Sequence, residues 1–309
     1  MLFQKLSKEC YEWLNKQPSV KEESLTDWLL YQATQISNRV FYKTFTRNEE
    51  AHVGADWEWW ILTEDRYSLL AYRLLIQAKK LKKDKNNYSA ITYGNSNGMQ
   101  IDLLLSSAVN RQALPLYAYY ICSHPDIKEQ IRNFSWIDKD YLRCNDKYIN
   151  GVYLSLAFSI GENFIWKPKR KIMDKELINH SLGLSILDLL FRNAPPKTFL
   201  PCTSLDGLNQ QFLNSCKNYI LTDDNCQTGC ANANHGFIYS YKDFPPYLKA
   251  ILQSQEKNMD WIAKDYRQGQ TMDWIAKDYR QEQIMDWLES EFHREFEGLS
   301  GIVVIDTRK

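Results

Sequence analysis

Four polar side chains within two apolar segments are spaced so that they can meet at one site. Asp56 and Glu58 lie two residues apart in GADWEWWIL, and Gln77 and Lys79 lie two residues apart in YRLLIQAKKL. Residues two apart in a strand point to the same face of a sheet. A charged side chain in an apolar strand costs free energy unless it is paired or has a chemical role. The spacing therefore predicts a polar site on two neighbouring strands.

These residue types suit metal-assisted hydrolysis of a phosphodiester. Carboxylate and amide oxygens are hard ligands for Mg²⁺ or Mn²⁺. A neighbouring lysine orients or deprotonates the attacking water, or offsets phosphate charge. The competing interpretation is structural, with Asp56 and Lys79 forming a half-buried ion pair between the strands.

The elements that position these residues follow from the hydrophobic periodicity. Helical spacing over residues 1–38 precedes three predicted strands, and an apolar helix and a buried strand come next. The strands are expected over residues 40–45, 53–62 and 69–81, the second helix over 99–111 and the last strand over 114–121. Farther along, helices are expected over 182–191 and 247–253, and a strand over 301–307. The order helix, three strands, helix, strand predicts an α/β fold.

Four regions follow from this pattern. Residues 1–125 form the predicted core, 126–255 a mainly helical extension packed on it, 256–292 a helical arm, and 293–309 a C-terminal strand.

The motif on the two strands resembles the active site of restriction-endonuclease-like PD-(D/E)xK nucleases, in which an acidic residue on one strand precedes (D/E/Q)-x-K on the next. GADWEWW, QAKKL, QIDLL and PLYAYY are also similar to an uncharacterised bacterial family with this core, over roughly residues 20–122. The resemblance implies an α-β-β-β-α-β core, with helices flanking a mixed central sheet. It also implies an endonuclease that requires Mg²⁺ or Mn²⁺ and acts on DNA rather than RNA, in bacterial defence against foreign DNA.

Residue by residue, the resemblance makes Asp56 the metal-binding aspartate and Lys79 the catalytic lysine, and it places Gln77 where most members have an acid. Glu23, on the preceding helix, matches the glutamate that many such nucleases add to the metal site. The chain departs from the pattern because no proline precedes Asp56 and because Gln77 removes one negative charge. The missing charge weakens metal binding unless Glu58 or Glu23 compensates, so both are expected as metal ligands beside Asp56 and Gln77.

Composition excludes some classes of protein and leaves one alternative open. Lys plus Arg and Asp plus Glu each number 38, and the zero net charge excludes a strongly basic nucleic-acid coat. Lys80, Lys82 and Lys83 are expected to contact nucleic acid, although a solvated lysine face is the alternative. The other candidate function is a non-catalytic nucleic-acid-binding or protein-interaction module on the same fold. No apolar run approaches the roughly 18 residues of a membrane span, so we expect a cytoplasmic protein with no membrane partner.

A 13-residue repeat, MDWIAKDYRQ and its spacer, begins at Met259 and again at Met272, and a partial copy begins at Met285. One period turns a helix by about 220°, so the copies form no continuous stripe. The repeat is either a recent duplication in a surface helix or an arm that binds a protein partner through its tryptophans. A homodimer is also left open.

Upstream of the repeat, the chain contains three potential zinc ligands: Cys226, Cys230 and His235. Their spacing suits zinc only if a fourth ligand exists.

Overall fold

The computed structural model describes residues 2–45, 53–64, 69–81, 94–95, 98–121, 151–161, 165, 181–184, 187–190, 237–256 and 296–308. Its strands are β1 (Val40–Thr44), β2 (Trp57–Glu64), β3 (Leu69–Lys80), β4 (Gly94–Asn95), β5 (Gly98–Met99), β6 (Leu114–Tyr120), β7 (Val152–Leu156), β8 (Ser181–Gly183), β9 (Ile238–Ser240) and β10 (Gly301–Asp306). Its α-helices are α1 (Leu2–Lys16), α2 (Glu22–Ile36), α3 (Gln100–Arg111), α4 (Ala157–Ile160), α5 (Leu187–Leu190) and α6 (Pro246–Glu256). A 3₁₀ turn, Tyr241–Asp243, precedes α6.

Within these ranges, eight strands form one mixed sheet in the order β1-β10-β2-β3-β6-β7-β8, and β9 pairs with β3. β10 runs parallel to β2, and β3 runs parallel to β6. The other pairs in this sheet are antiparallel. β3 is long enough to pair with β6 through its second half and with β9 through its first half. Because β2 and β3 are antiparallel, the start of β2 lies near the end of β3.

Helices cover both faces of the sheet because alternate residues of its central strands are apolar on each side. On one face, Leu6 of α1 and Leu25 of α2 pack with Trp57 and Ile76. On the other face, Leu104 of α3 packs against Leu75 and Tyr117. Farther along that face, Tyr247 and Ile251 of α6 pack around Trp60. The polar residues of the predicted site lie among these apolar layers.

The predicted class is confirmed, since the structure is mixed α/β with a mixed central sheet and flanking helices. The predicted strands and helices of the first 121 residues are present within a few residues of their expected bounds. The helix over 246–256 and the strand over 301–306 are confirmed as well.

One predicted helix is wrong. Residues 181–183 form a strand that extends the ladder of β7, and among the described residues of this range the α-helix spans 187–190. A short apolar run does not reveal by its pattern whether it is a strand or a buried helix. The described part of the predicted helical extension therefore contributes three strands, β7 to β9, as well as helices.

β10 lies between β1 and β2. Its pairings with these two strands join residues that are farther apart in the sequence than those of any other strand pair in the sheet. Its residues 301–305 are buried, which fits the continuous apolar run of a strand covered on both faces. Gly301 begins the strand at a crowded point, where a Cβ atom would lie 2.3 Å from the Lys43 carbonyl oxygen and 2.4 Å from the Trp57 ring. Only glycine fits there without displacing β1 or β2.

No helix in the described ranges combines the length and the apolar character that crossing a membrane requires. Several predictions concern residues outside the described ranges: those on the 13-residue repeats, on Lys82 and Lys83, and on Cys226, Cys230 and His235.

Candidate functional site

Asp56 is held by its backbone at the entrance to β2. Its N–H donates to the Ile76 carbonyl of β3 at 2.9 Å, and its carbonyl accepts the Ser300 N–H at 2.6 Å. The turn before it contains Gly54 at a φ of 70°, where a Cβ atom would lie 2.5 Å from the backbone nitrogen of Leu104 in α3. The left-handed conformation and the close approach both favour glycine. β3, β10 and α3 together therefore fix the position of Asp56.

The Asp56 carboxylate meets Gln77 across the two strands. Asp56 Oδ2 accepts hydrogen bonds from Gln77 Nε2 at 2.6 Å and from the Ala78 N–H at 2.7 Å. Gln77 is buried, and its Oε1 accepts a hydrogen bond from Gln100 Nε2 at 2.7 Å. Gln77 therefore presents the donor end of its amide to Asp56.

Lys79 reaches the same end of the sheet and meets Glu22, in the first turn of α2. Lys79 Nζ lies 3.7 Å from Glu22 Oε1, and Glu22 Oε2 accepts the Lys80 N–H at 2.6 Å. Burial raises the pKa of the Glu22 carboxyl above its usual range, against the opposing effects of the Lys79 charge and the Lys80 N–H. The charge of Glu23 raises that pKa further.

A cavity of about 120 Å³ opens beside these residues. Four acidic residues line it: Glu22, Glu23 and Asp27 from α2, and Asp56 from the strand side. The wall also includes Trp57 and Ser300. Several carboxyl groups around one small cavity favour a cationic occupant.

The oxygen donors around the cavity are of the type that hard divalent cations bind. The described residues contain no group of three or more His, Cys, Asp or Glu side chains already arranged to hold a metal. Mg²⁺, however, is commonly held by one or two carboxylates, with water and substrate phosphate completing its shell. Asp56, Glu22 and Glu23 are the carboxylates at the cavity wall that could supply such ligands.

Comparison with known proteins places the sequence in one family. A model of a family of unknown function, DUF6615, matches residues 1–272. The chain belongs to this family. No curated protein and no solved structure matches it. The family match covers the sheet from β1 to β9 and ends at the first residue of the second repeat copy.

In this family member Asp56 and Gln77 contact each other, Lys79 pairs with Glu22, and Glu22, Glu23 and Asp56 line one cavity. Sequence reasoning missed Glu22, which contacts both Lys79 and the backbone of β3. The only signal was that Glu22 precedes Glu23 directly. Which of two adjacent helical carboxylates meets the sheet depends on the rotation of the helix about its axis.

Glu58 corrects a prediction, because the structure does not bring it to the cavity as a metal ligand. Its side chain is fully buried and paired with Arg73, whose terminal nitrogen lies 2.7 Å from Glu58 Oε2. Trp60 Nε1 donates to Glu58 Oε1 at 2.7 Å, and the Tyr247 hydroxyl donates to the same oxygen. Glu58 shares a sheet face with Asp56, but it lies one pleat deeper, where a guanidinium already compensates its charge.

Gln100 was predicted only as part of the helix, and its contact with Gln77 was missed as well. The ammonium of Lys80 donates to the backbone carbonyls of Pro18, at 3.0 Å, and of Val20, and so secures the connection between α1 and α2. Its predicted contact with nucleic acid stays a prediction.

Proposed function

We propose that this chain is a metal-dependent nuclease that hydrolyses phosphodiester bonds in DNA. The observation that carries the proposal is a cavity lined by Asp56, Glu22 and Glu23, in which Asp56 is held by Gln77 and Glu22 is paired with Lys79. The choice of DNA and a role in bacterial defence rest on the resemblance in sequence alone.

In this proposal the residues divide the work between holding a cation and managing phosphate charge. Asp56 and Glu22 or Glu23 would hold Mg²⁺ or Mn²⁺. The bound ion would supply Lewis-acid polarisation of the scissile phosphate. Gln77 holds the Asp56 carboxylate through its amide N–H, so the carboxylate keeps its orientation when a substrate arrives.

Lys79 supplies positive charge where negative charge grows during hydrolysis. Water adds to phosphorus, the bond to the leaving oxygen breaks, and that oxygen ends with a proton. The ammonium group of Lys79, held beside Glu22, would attract the phosphate oxygens during this step. A buried lysine does so more strongly than an exposed one because solvent screens it less.

A second candidate function is nucleic-acid binding without cleavage, and one observation favours it. Gln77 directs its N–H toward Asp56, and its oxygen accepts from Gln100. In that arrangement residue 77 offers no oxygen to a metal, so the site has one ligand fewer than a site with an acid there. A weaker cation site is compatible with a protein that binds nucleic acid and does not hydrolyse it.

Cleavage assays separate the two functions. Wild type is incubated with supercoiled plasmid, linear DNA and RNA, each with Mg²⁺, Mn²⁺ or EDTA. We expect cleavage of DNA that EDTA abolishes and that Asp56→Asn lowers by about 10²-fold or more. Asparagine keeps the acceptor for the Gln77 and Ala78 N–H groups, so the fold should survive.

Asp243→Asn, at an exposed aspartate on the 3₁₀ turn, is the matched control and should cleave like wild type. Cleavage by Asp56→Asn equal to wild type would remove the site. An inert wild type that still retards nucleic acid in a gel would favour the binding function.

A further inference from the structure

Gln100, the first residue of α3, contacts the candidate site through Gln77. Its Nε2 donates to Gln77 Oε1 at 2.7 Å, and Gln77 Nε2 donates in turn to Asp56 Oδ2 at 2.6 Å. We propose that Gln100 is a positioning residue that sets the orientation of the Gln77 amide and thereby holds the Asp56 carboxylate ready for a cation. The use of Asp56 rests on the proposed function, but the orientation of the amide can be measured without it.

The Gln77 amide needs such a partner because its two ends have nearly the same shape and opposite hydrogen-bonding character. If the amide were reversed, Gln77 Oε1 would face a carboxylate oxygen at 2.6 Å with no proton between them. Gln100 Nε2 donates to the oxygen at the far end of the amide, which matches the observed orientation. The Ala78 carbonyl, 3.1 Å from Gln77 Nε2, favours the same orientation.

Two features indicate that Gln100 is present for its donor. Its own Oε1 is buried and has no hydrogen-bond partner in the part of the chain that the structure describes. Native proteins pair most buried polar atoms, so a residue that leaves one unpaired calls for a reason beyond filling space. The backbone of Gln100 also packs against the turn that carries Asp56, since a Cβ atom on Gly54 would lie 2.8 Å from the Gln100 carbonyl oxygen. Donor and turn therefore keep a fixed separation.

The first experiment observes the amide directly, in the full-length chain labelled with ¹⁵N-glutamine. The Gln77 side-chain signal is identified by its loss in Gln77→Glu. In wild type we expect its N–H protons to exchange slowly with solvent. Gln100→Leu should shift that signal and speed its exchange, whereas Gln35→Leu, at an exposed position of α2, should leave it unchanged. An unchanged Gln77 signal in Gln100→Leu would overturn the positioning role.

The second experiment uses the symmetry of a carboxylate. Glutamate at position 77 has two equivalent oxygens, so no end needs to be selected. We expect Gln77→Glu to bind Mn²⁺ more tightly than wild type. We expect Gln100→Leu to weaken Mn²⁺ binding about tenfold when residue 77 is glutamine. The same substitution should have little effect when residue 77 is glutamate. Binding is measured by electron paramagnetic resonance of Mn²⁺ without nucleic acid, on variants shown to be folded by thermal unfolding.

An equal loss of affinity in both backgrounds would show that Gln100 merely supports the structure, and it would overturn the proposal. If wild type binds no Mn²⁺ and cleaves nothing, the proposed function fails, and the amide signals alone decide the positioning role.

Discussion

Asp56 and Glu58 lie two residues apart on one face of the sheet, and their surroundings differ completely. Glu58 is fully buried against the Arg73 guanidinium and also accepts from Trp60 and Tyr247. Asp56 lines a cavity and accepts from two neutral groups, the Gln77 amide and the Ala78 N–H. The charge of Glu58 is matched by a guanidinium inside the sheet, whereas the carboxylate of Asp56 is oriented by an amide and a backbone N–H at the wall of a cavity. Strand parity finds both residues, but only their partners distinguish them.

The pKa values of two glutamates extend the contrast. Burial alone would raise the pKa of Glu58, but Arg73, Tyr247 and Arg111 lower it below its usual 4.5. The pKa of Glu22 is raised, mainly by burial. The charged form of Glu58 therefore stabilises the fold, and the charged form of Glu22 opposes it.

The largest effect is expected from breaking the structural pair. Arg73→Met leaves the Glu58 charge buried without its main partner and should lower the free energy of unfolding by about 3–5 kcal/mol. The double variant Glu58→Leu/Arg73→Met removes both charges and should recover most of that loss. Urea denaturation measures both. If the double variant is no more stable than Arg73→Met, the loss of stability does not come from the unpaired charge of Glu58.

The next largest effect is expected on the rate of cleavage. Lys79→Met keeps most of the apolar stem and removes the ammonium, so cleavage should fall by about 10²-fold or more. Stability should change by only about 1 kcal/mol, because the contact with Glu22 is partly exposed and spans 3.7 Å. Lys249→Met, on α6 away from the cavity, is the matched control. Wild-type cleavage by Lys79→Met would exclude this lysine from the mechanism.

A smaller effect is expected from pH, with opposite signs in the two regions. Because the folded pKa of Glu58 is lowered, its contribution to stability is present above 4.5 and is lost as the pH falls through the folded value. Because the pKa of Glu22 is raised, its contribution is present below 4.5 and is lost as the pH rises through the folded value.

Glu22→Gln should therefore be at least as stable as wild type at pH 7, while its cleavage falls. Urea denaturation at pH 4 and pH 7 tests this, with Asp243→Asn, at the exposed aspartate of the 3₁₀ turn, as the control. A Glu22→Gln protein less stable than wild type at pH 7 would reverse the comparison.

The smallest effect is expected from shortening the repeat. Deleting residues 271–283 removes one 13-residue unit. The near-identity of the two full copies suggests a recent duplication, so the deletion should leave folding and cleavage nearly unchanged. Thermal unfolding and plasmid cleavage measure this. A deletion variant that fails to fold would show that the arm belongs to the core.

The sequence predicted what depends on local pattern. Alternation placed Asp56, Gln77 and Lys79 on adjacent strands, and the apolar runs located β6 and β10. Arg73 lies four residues before Gln77 and so shares its face, a signal that could have identified the partner of Glu58. The choice of Glu22 over Glu23 and the place of β10 depend on how distant elements pack, which a local pattern does not encode.

The position of β10 has a consequence for how the molecule assembles. β1 and β2 are consecutive along the chain, yet they cannot pair with each other in the finished sheet, because Gly301–Asp306 must enter between them. Until that strand arrives, two unpaired edges stay open, a condition in which strands readily join the wrong partner. Pairing across so long a separation also slows folding. Since the Ser300 N–H, just before β10, binds the Asp56 carbonyl, a nascent chain has no finished site until this distant segment has been synthesised.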